Sequence, residues 1–138
     1  PYPPLWVCGG GEKVTLKLLA KYGDYGNWDV DVQGFIDKSE ILKGHCDQQE
    51  REYSDIKKTL HTNVIIGENQ IDLDNKINKI SEVTGIPKEM YIDKPLVGTI
   101  EKVFDTIEEF KSVECEYIIA YVPDIVWGNS LEILSQKI

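Results

Sequence analysis

Short apolar runs alternate with amphipathic segments of helical period along the whole chain, and no Asn-Gly or similar hairpin turn joins one run to the next. Strict alternation of strand and helix requires parallel strands joined by crossovers. The predicted strands lie near 5–8, 24–28, 56–66 and 117–122. The predicted helices cover about 12–22, 31–49, 71–83, 99–112 and 129–138. The fold class is therefore α/β with four βα units, and two architectures fit it: an open doubly wound sheet, or half of a (β/α)8 barrel.

The chain has 138 residues, 41% of them hydrophobic, which is enough for a single domain over 1–138. The first and last predicted strands are continuous apolar runs, Leu5–Cys8 and Tyr117–Val122, and we expect both to be buried. The chain begins with Pro1 and its only methionine is Met90, so we expect a processed chain or a fragment.

The formal net charge of -9 argues against a nucleic-acid partner, because proteins that bind phosphate backbones carry a basic surface. No apolar run is long enough for a membrane span, and no signal peptide opens the sequence. Three cysteines without CxxC spacing are typical of a reducing cytoplasm. His45, next to Cys46, and His61 do not complete a zinc ligand pattern, so we predict no metal site.

Three consecutive glycines, Gly9, Gly10 and Gly11, separate the first strand from the first helix and are followed by Glu12 and Lys13. Glycines at this place let backbone N–H groups approach an anion, and the helix dipole adds to the attraction. Lys13 or the nearby Lys17 would add positive charge. The pattern is neither GxxxxGK[ST] nor GxGxxG. A tight βα turn is the alternative, but a turn needs fewer glycines, so the sequence favours a phosphate-binding loop.

Four further residues have two interpretations each. Asn27 would bind a ligand or form a turn, and Trp28 would stack on a ring or belong to the core, the core being favoured. His61 fits an interior strand position better than a catalytic one. Asp124 fits a helix cap better than a site carboxylate. No catalytic residue can be assigned from the sequence.

Two segments resemble the luciferase-like oxidoreductases. In PPLWVCGGGEKVTLKLLAKYGDYGNW the matching residues are Pro3, Pro4, Gly9, Gly10, Gly11, Lys13, Thr15, Leu16, Leu18, Ala20, Tyr22, Asp24 and Asn27. In GTIEKVFDTIEEFKSVECEYIIAYVPD they are Gly98, Thr99, Glu101, Val103, Ile107, Phe110, Ile118 and Ile119. The chain departs from the family pattern at Cys8, Gly26, Ile100 and Glu114.

This resemblance implies the C-terminal half of a (β/α)8 barrel, with the cofactor phosphate near the glycines. The implied cofactor is a deazaflavin (coenzyme F420) or FMN. The implied cofactor-binding residues are Gly9, Gly10, Gly11, Glu12, Lys13, Asn27 and Trp28. The leading function is hydride transfer between the deazaflavin and a small alcohol or aldehyde. The alternatives are an FMN-dependent monooxygenase and a half-barrel that binds flavin without catalysis or only self-associates. A missing N-terminal half or a second copy would complete the barrel.

Overall fold

The computed structural model describes residues 2–136, so the predicted end of the last helix at Ile138 lies outside the described residues. Strands and helices alternate along most of the chain. The strands are β1 (Trp6–Cys8), β2 (Tyr25–Trp28), β3 (Lys57–Gly67), β4 (Leu96–Thr99) and β5 (Cys115–Tyr121). The helices are α1 (Thr15–Tyr22), α2 (Val32–Gln48), α3 (Gln70–Thr84), α4 (Glu89–Ile92), α5 (Ile100–Ser112) and α6 (Ser130–Ser135), with a 3-10 turn at Tyr53–Asp55.

The described residues form two compact units. The first comprises 2–61 and 110–119, and the second comprises 62–109 and 120–136. The long strand β3 begins in the first unit and ends in the second.

In the first unit, β1 pairs with β2 and β2 pairs with the start of β3, both in parallel. The register aligns Trp6 with Tyr25, and Cys8 with Asn27. Because side chains alternate along a strand, residues aligned in this way share one face of the sheet. Strand β5 also pairs with β3. These pairings confirm the predicted parallel α/β fold.

Aromatic side chains and helix residues fill the core of the first unit. The Trp28 ring meets Phe35 of α2 edge-on at 5.0 Å, and Phe35 meets Phe110 at 5.7 Å. Leu16 and Leu19 of α1 are fully buried. Gly26 lies against this layer, since a Cβ there would come within 2.6 Å of the Leu19 Cδ2 atom. The helices therefore cover the sheet face that carries Trp28.

In the second unit, Val64–Gly67 pairs in parallel with Leu96–Thr99. A buried cluster joins this sheet to α3 and α4 and consists of Ile65, Leu73, Ile77, Ile80, Tyr91 and Val97. The sequence did not predict β4 or α4, because Pro87 and Pro95 make the segment between α3 and α5 resemble a loop. Both elements are short. Strand β4 pairs with the end of β3, and Tyr91 of α4 lies in the same buried cluster as Ile65 of β3.

The first and last predicted strands are present but are not buried. Trp6 is 40% exposed and Tyr117 is 49% exposed. The prediction of buried strands at Leu5–Cys8 and Tyr117–Val122 was wrong, since an apolar run does not reveal whether its second face has a neighbour. Helix α1 also begins at Thr15 rather than Glu12, because residues 12–14 form a turn. Among the described residues, no helix has the length and hydrophobicity that crossing a membrane requires.

Candidate functional site

The glycine loop, Gly9–Gly11, follows β1 at the carboxyl end of the first unit's sheet. Gly9 has a φ of +101°, a backbone conformation that favours glycine, and its amide donates to the Asn27 carbonyl at 3.2 Å. Gly10 and Gly11 lie beyond the last residue of β1 and before the first residue of α1. Their amides are therefore outside both the strand and the helix, and Gly11 is exposed.

Lys38 of α2 reaches across to this loop. Its Nζ donates to the Gly10 carbonyl at 2.9 Å. A Cβ on Gly10 would lie 2.5 Å from the Lys38 Cε atom, so the lysine side chain passes directly over the glycine backbone. Nothing local in the sequence links residues 10 and 38, and the sequence-based prediction did not include this lysine.

The turn after the glycines is held through its backbone. The Gly11 carbonyl accepts from the Leu16 amide at 3.0 Å, and the Glu12 carbonyl lies 2.8 Å from the His45 Nε2 atom. The side chains of Glu12 and Lys13 are exposed. His45 therefore fixes the turn against α2, while Glu12 and Lys13 remain accessible at the loop.

A polar row crosses the sheet directly below the loop and consists of Cys8, Asn27 and Thr59. The Thr59 hydroxyl lies 3.0 Å from Asn27 Oδ1 and 2.9 Å from the Gly26 carbonyl. Asn27 Nδ2 donates to Cys8 Sγ at 3.8 Å. The strand registers align these residues, so all of them project from the sheet face opposite Trp28. The structure thus places Asn27 next to the glycine loop and brings Cys8 and Thr59 into contact with its side chain.

Trp28 lies on the other face. It is 1% exposed and packs on Phe35. Its role is that of a core residue, which was the favoured interpretation of its sequence position. Consecutive strand residues point to opposite faces, so Asn27 and Trp28 cannot both project from the polar face of β2.

The other two predicted candidates lie outside the loop and the polar row. His61 is half-buried within β3. Asp124 is fully buried in the second unit, where its Oδ2 accepts from the Ser130 hydroxyl at 2.7 Å and the Ser130 amide at 3.3 Å. Ser130 is the first residue of α6, so Asp124 binds the amino end of this helix, as its favoured interpretation expected, while Asn129 occupies the N-cap position.

The three cysteines differ in environment. Burial raises the pKa of Cys115 to about 11, and burial likewise raises the pKa of Cys46. Cys8, by contrast, is exposed and lies in the polar row. Within residues 2–136, no group of three or more His, Cys, Asp or Glu side chains is placed to hold a metal ion.

Comparisons with known proteins identify the fold. No family model matches the sequence, and no curated protein matches it. A solved F420-dependent secondary alcohol dehydrogenase, in complex with an F420-acetone adduct, matches with a TM-score of 0.78 at 14% identity, covering 100% of this chain and 48% of that one. A coenzyme F420-dependent tetrahydromethanopterin reductase from Methanopyrus kandleri matches with a TM-score of 0.66 at 14% identity, covering 98% of this chain and 50% of that one. A long-chain alkane monooxygenase (LadA) matches with a TM-score of 0.68 at 15% identity, covering 99% of this chain and 42% of that one.

The chain thus spans about half the length of each of these structures. The likeness decides between the two architectures that fitted the sequence: the fold is that of half of a luciferase-like (β/α)8 barrel. The resemblance found in the sequence is confirmed at the level of the fold.

Proposed function

We propose that this chain supplies the phosphate-binding half of a luciferase-like oxidoreductase that uses a deazaflavin or FMN. The observation that carries the proposal is the glycine loop, Gly9–Gly11, at the carboxyl end of β1. Parallel α/β barrels bind ligands at this end of their strands. The loop is accessible, and two of its amides, those of Gly10 and Gly11, are outside the strand and the helix.

The residues present fit a phosphate group. Gly9 adopts a positive φ that turns the backbone away from β1. The Lys38 ammonium lies over Gly10 and the Thr15 hydroxyl lies beside Gly11, and both groups can donate to an anion. The Asn27 and Thr59 side chains form the polar floor beside the loop. A bound deazaflavin or flavin ring supplies hydride chemistry, whereas the residues of this chain bind and orient the phosphate end.

Within this class we propose hydride transfer between coenzyme F420 and a small alcohol or aldehyde. Two of the matched structures are F420-dependent, and one of them holds an F420-acetone adduct. The second candidate is an FMN-dependent monooxygenase, which the match to an alkane monooxygenase supports. A non-catalytic flavin-binding protein is the third.

We also propose that another barrel half covers the open face of the first unit's sheet. Three aromatic residues lie there: Trp6 stacks on Tyr25 at 4.3 Å, and Tyr25 meets Tyr117 at 6.2 Å. Trp6 and Tyr117 are substantially exposed, which is unusual for large apolar groups placed side by side. The covering half would be an N-terminal segment with the other four strands, or a second copy of this chain.

A cofactor titration followed by absorbance tests the proposal. Coenzyme F420 and FMN are titrated separately into the chain, with and without the Gly10→Trp substitution, and then a small secondary alcohol is added. We expect binding that Gly10→Trp weakens, with reduction of F420 once the barrel is complete. Binding of FMN but not of F420 would favour the monooxygenase. Binding of either cofactor without turnover would favour the non-catalytic protein. No affinity for either cofactor would contradict the proposal.

A further inference from the structure

The ammonium group of Lys38 contacts the backbone of the glycine loop directly. It makes a 2.9 Å hydrogen bond to the Gly10 carbonyl. An ammonium has three hydrogens, so one such bond leaves capacity for further acceptors. Lys13 and Lys17, the lysines that the sequence suggested for this loop, have exposed side chains.

Lys38 differs from the lysines that are paired with acids. Examples among the described residues are Lys57 with Glu116, Lys58 with Glu114 and Lys76 with Asp72. Within the same residues, no carboxylate pairs with Lys38. Its charge is therefore not paired with an acid and lies next to the loop backbone, in a chain whose net charge is -9.

Gly10 makes this placement possible. A Cβ at that position would approach the Lys38 Cε atom to 2.5 Å and the Nζ atom to 2.7 Å. The lysine side chain is flexible at this end, so a methyl group would displace the ammonium without breaking the backbone. The glycine and the lysine thus act as a pair, because the first leaves the space that the second occupies.

We infer that Lys38 binds the anionic phosphate group of the cofactor, together with the amides of the glycine loop. The inference rests on the proposed function and adds to it a residue from α2 that recognises the charge of the ligand. A lysine ammonium binds phosphate as a point charge and complements the backbone amides. Lys38 does not touch the reacting ring in this proposal and acts only in binding.

The test compares ligands with and without the phosphate. FMN and riboflavin share the ring and differ in the phosphate, so each is titrated into the wild type and into Lys38→Gln, Lys38→Arg and Lys43→Gln. Lys43 is an exposed lysine farther along the same helix and serves as the matched control. We expect Lys38→Gln to weaken FMN binding roughly 10- to 100-fold, the range for a hydrogen bond to a charged group. In Lys38→Gln, we expect the riboflavin affinity to stay within about twofold of the wild-type value. Lys38→Arg should retain most of the FMN affinity. Lys43→Gln should change neither the FMN affinity nor the riboflavin affinity.

A second measurement uses inorganic phosphate alone. Phosphate is titrated against the NMR amide signals of Gly10 and Gly11 in the wild type and in Lys38→Gln. We expect a saturable shift that the substitution weakens about tenfold. If neither FMN nor coenzyme F420 binds but this shift is present and depends on Lys38, the proposed function fails and phosphate binding by Lys38 stands. Three results would each overturn the inference. They are an unchanged FMN affinity in Lys38→Gln, an equal loss of riboflavin affinity in that variant, and a phosphate titration that shifts neither the Gly10 nor the Gly11 amide signal.

Discussion

The Thr59 hydroxyl lies 3.0 Å from Asn27 Oδ1, and the residues that carry these atoms are aligned on adjacent parallel strands. The same hydroxyl lies 2.9 Å from the Gly26 carbonyl, and Thr59 is fully buried. This contact fixes the Asn27 amide beside the glycine loop, since the other end of the amide donates to Cys8 Sγ. The polar row is therefore a connected network, in which loss of one member leaves buried acceptors without a donor.

Thr59→Val tests this network. Valine keeps the shape of the side chain and removes the hydroxyl, whose single hydrogen is donated to Asn27 Oδ1 or to the Gly26 carbonyl, so a buried acceptor loses its donor. We expect the free energy of unfolding to fall by about 1–3 kcal/mol, measured by urea denaturation. Thr106→Val is the control, because the Thr106 hydroxyl only bonds back to the Lys102 carbonyl on α5, and we expect a change within about 0.5 kcal/mol. Equal losses in the two variants would contradict the buried network.

Gly26→Ala tests the packing between β2 and α1. The new methyl group would lie 2.6 Å from the Leu19 Cδ2 atom and 3.3 Å from the Trp28 ring. We expect a loss of about 1–3 kcal/mol by thermal or urea unfolding, which is typical of overpacking. Gly44→Ala provides the comparison, because no atom lies within 4 Å of its new methyl group in α2. There we expect a gain of about 0.5–1 kcal/mol, and a stable Gly26→Ala protein would show that α1 packs differently.

The cysteines should react in a fixed order. The exposed Cys8 should be labelled first by a thiol reagent at pH 8, as mass spectrometry of tryptic peptides will show. Cys115 should react slowly at that pH and faster as the pH approaches its pKa of about 11, because burial disfavours the thiolate that reacts. Cys8→Ser should abolish the fast phase alone. Prompt labelling of Cys46, whose pKa is also raised by burial, would contradict the packing of α2.

Asp72 should contribute to stability in a pH-dependent way. Burial opposes its ionisation, but the Glu68 amide and the Lys76 ammonium outweigh burial and lower the pKa of Asp72 below 3.8. Because the folded-state pKa lies below the unfolded one, the contribution is complete above the unfolded value and is lost as the pH falls through the folded value. The Asp72 side chain is 36% exposed, so solvent screening limits the effect to about 1 kcal/mol or less.

The measurement is urea unfolding of the wild type and Asp72→Asn at pH 7 and at pH 3. We expect the stability difference at pH 7 to shrink at pH 3. The control is Asp74→Asn, which changes an exposed residue of the same helix. Its free energy of unfolding at pH 7 should differ less from the wild-type value than that of Asp72→Asn. A wild-type advantage that grows at pH 3 would show that the sign of the pKa shift is wrong.

The open face of the first sheet should mediate association. Trp6 and Tyr117 are exposed on β1 and β5, and a second copy that covered them would remove apolar surface from water. If a second copy completes the barrel, analytical ultracentrifugation will show a dimer that the double variant Trp6→Ser, Tyr117→Ser weakens at least about tenfold. A wild-type chain that stays monomeric at high concentration would exclude the second copy and leave the N-terminal segment as the covering half.

The sequence by itself determined the parallel α/β order and the glycine loop. Both are local: apolar runs and helical periods depend on neighbouring residues, and the loop needs only consecutive glycines after a strand. The resemblance to luciferase-like oxidoreductases rests on segments of this kind and led to the half-barrel that the matched structures support.

Only the tertiary structure decided which side chains meet at the loop. It brought Lys38 to Gly10 and Thr59 to Asn27, and it placed Trp28 in the core behind them. It also showed that β1 and β5 are exposed, although their sequences are typical of buried strands. The physical reason is that such contacts join elements distant in sequence through the pairing register and helix packing, whereas local hydrophobicity reports only that a side chain prefers burial.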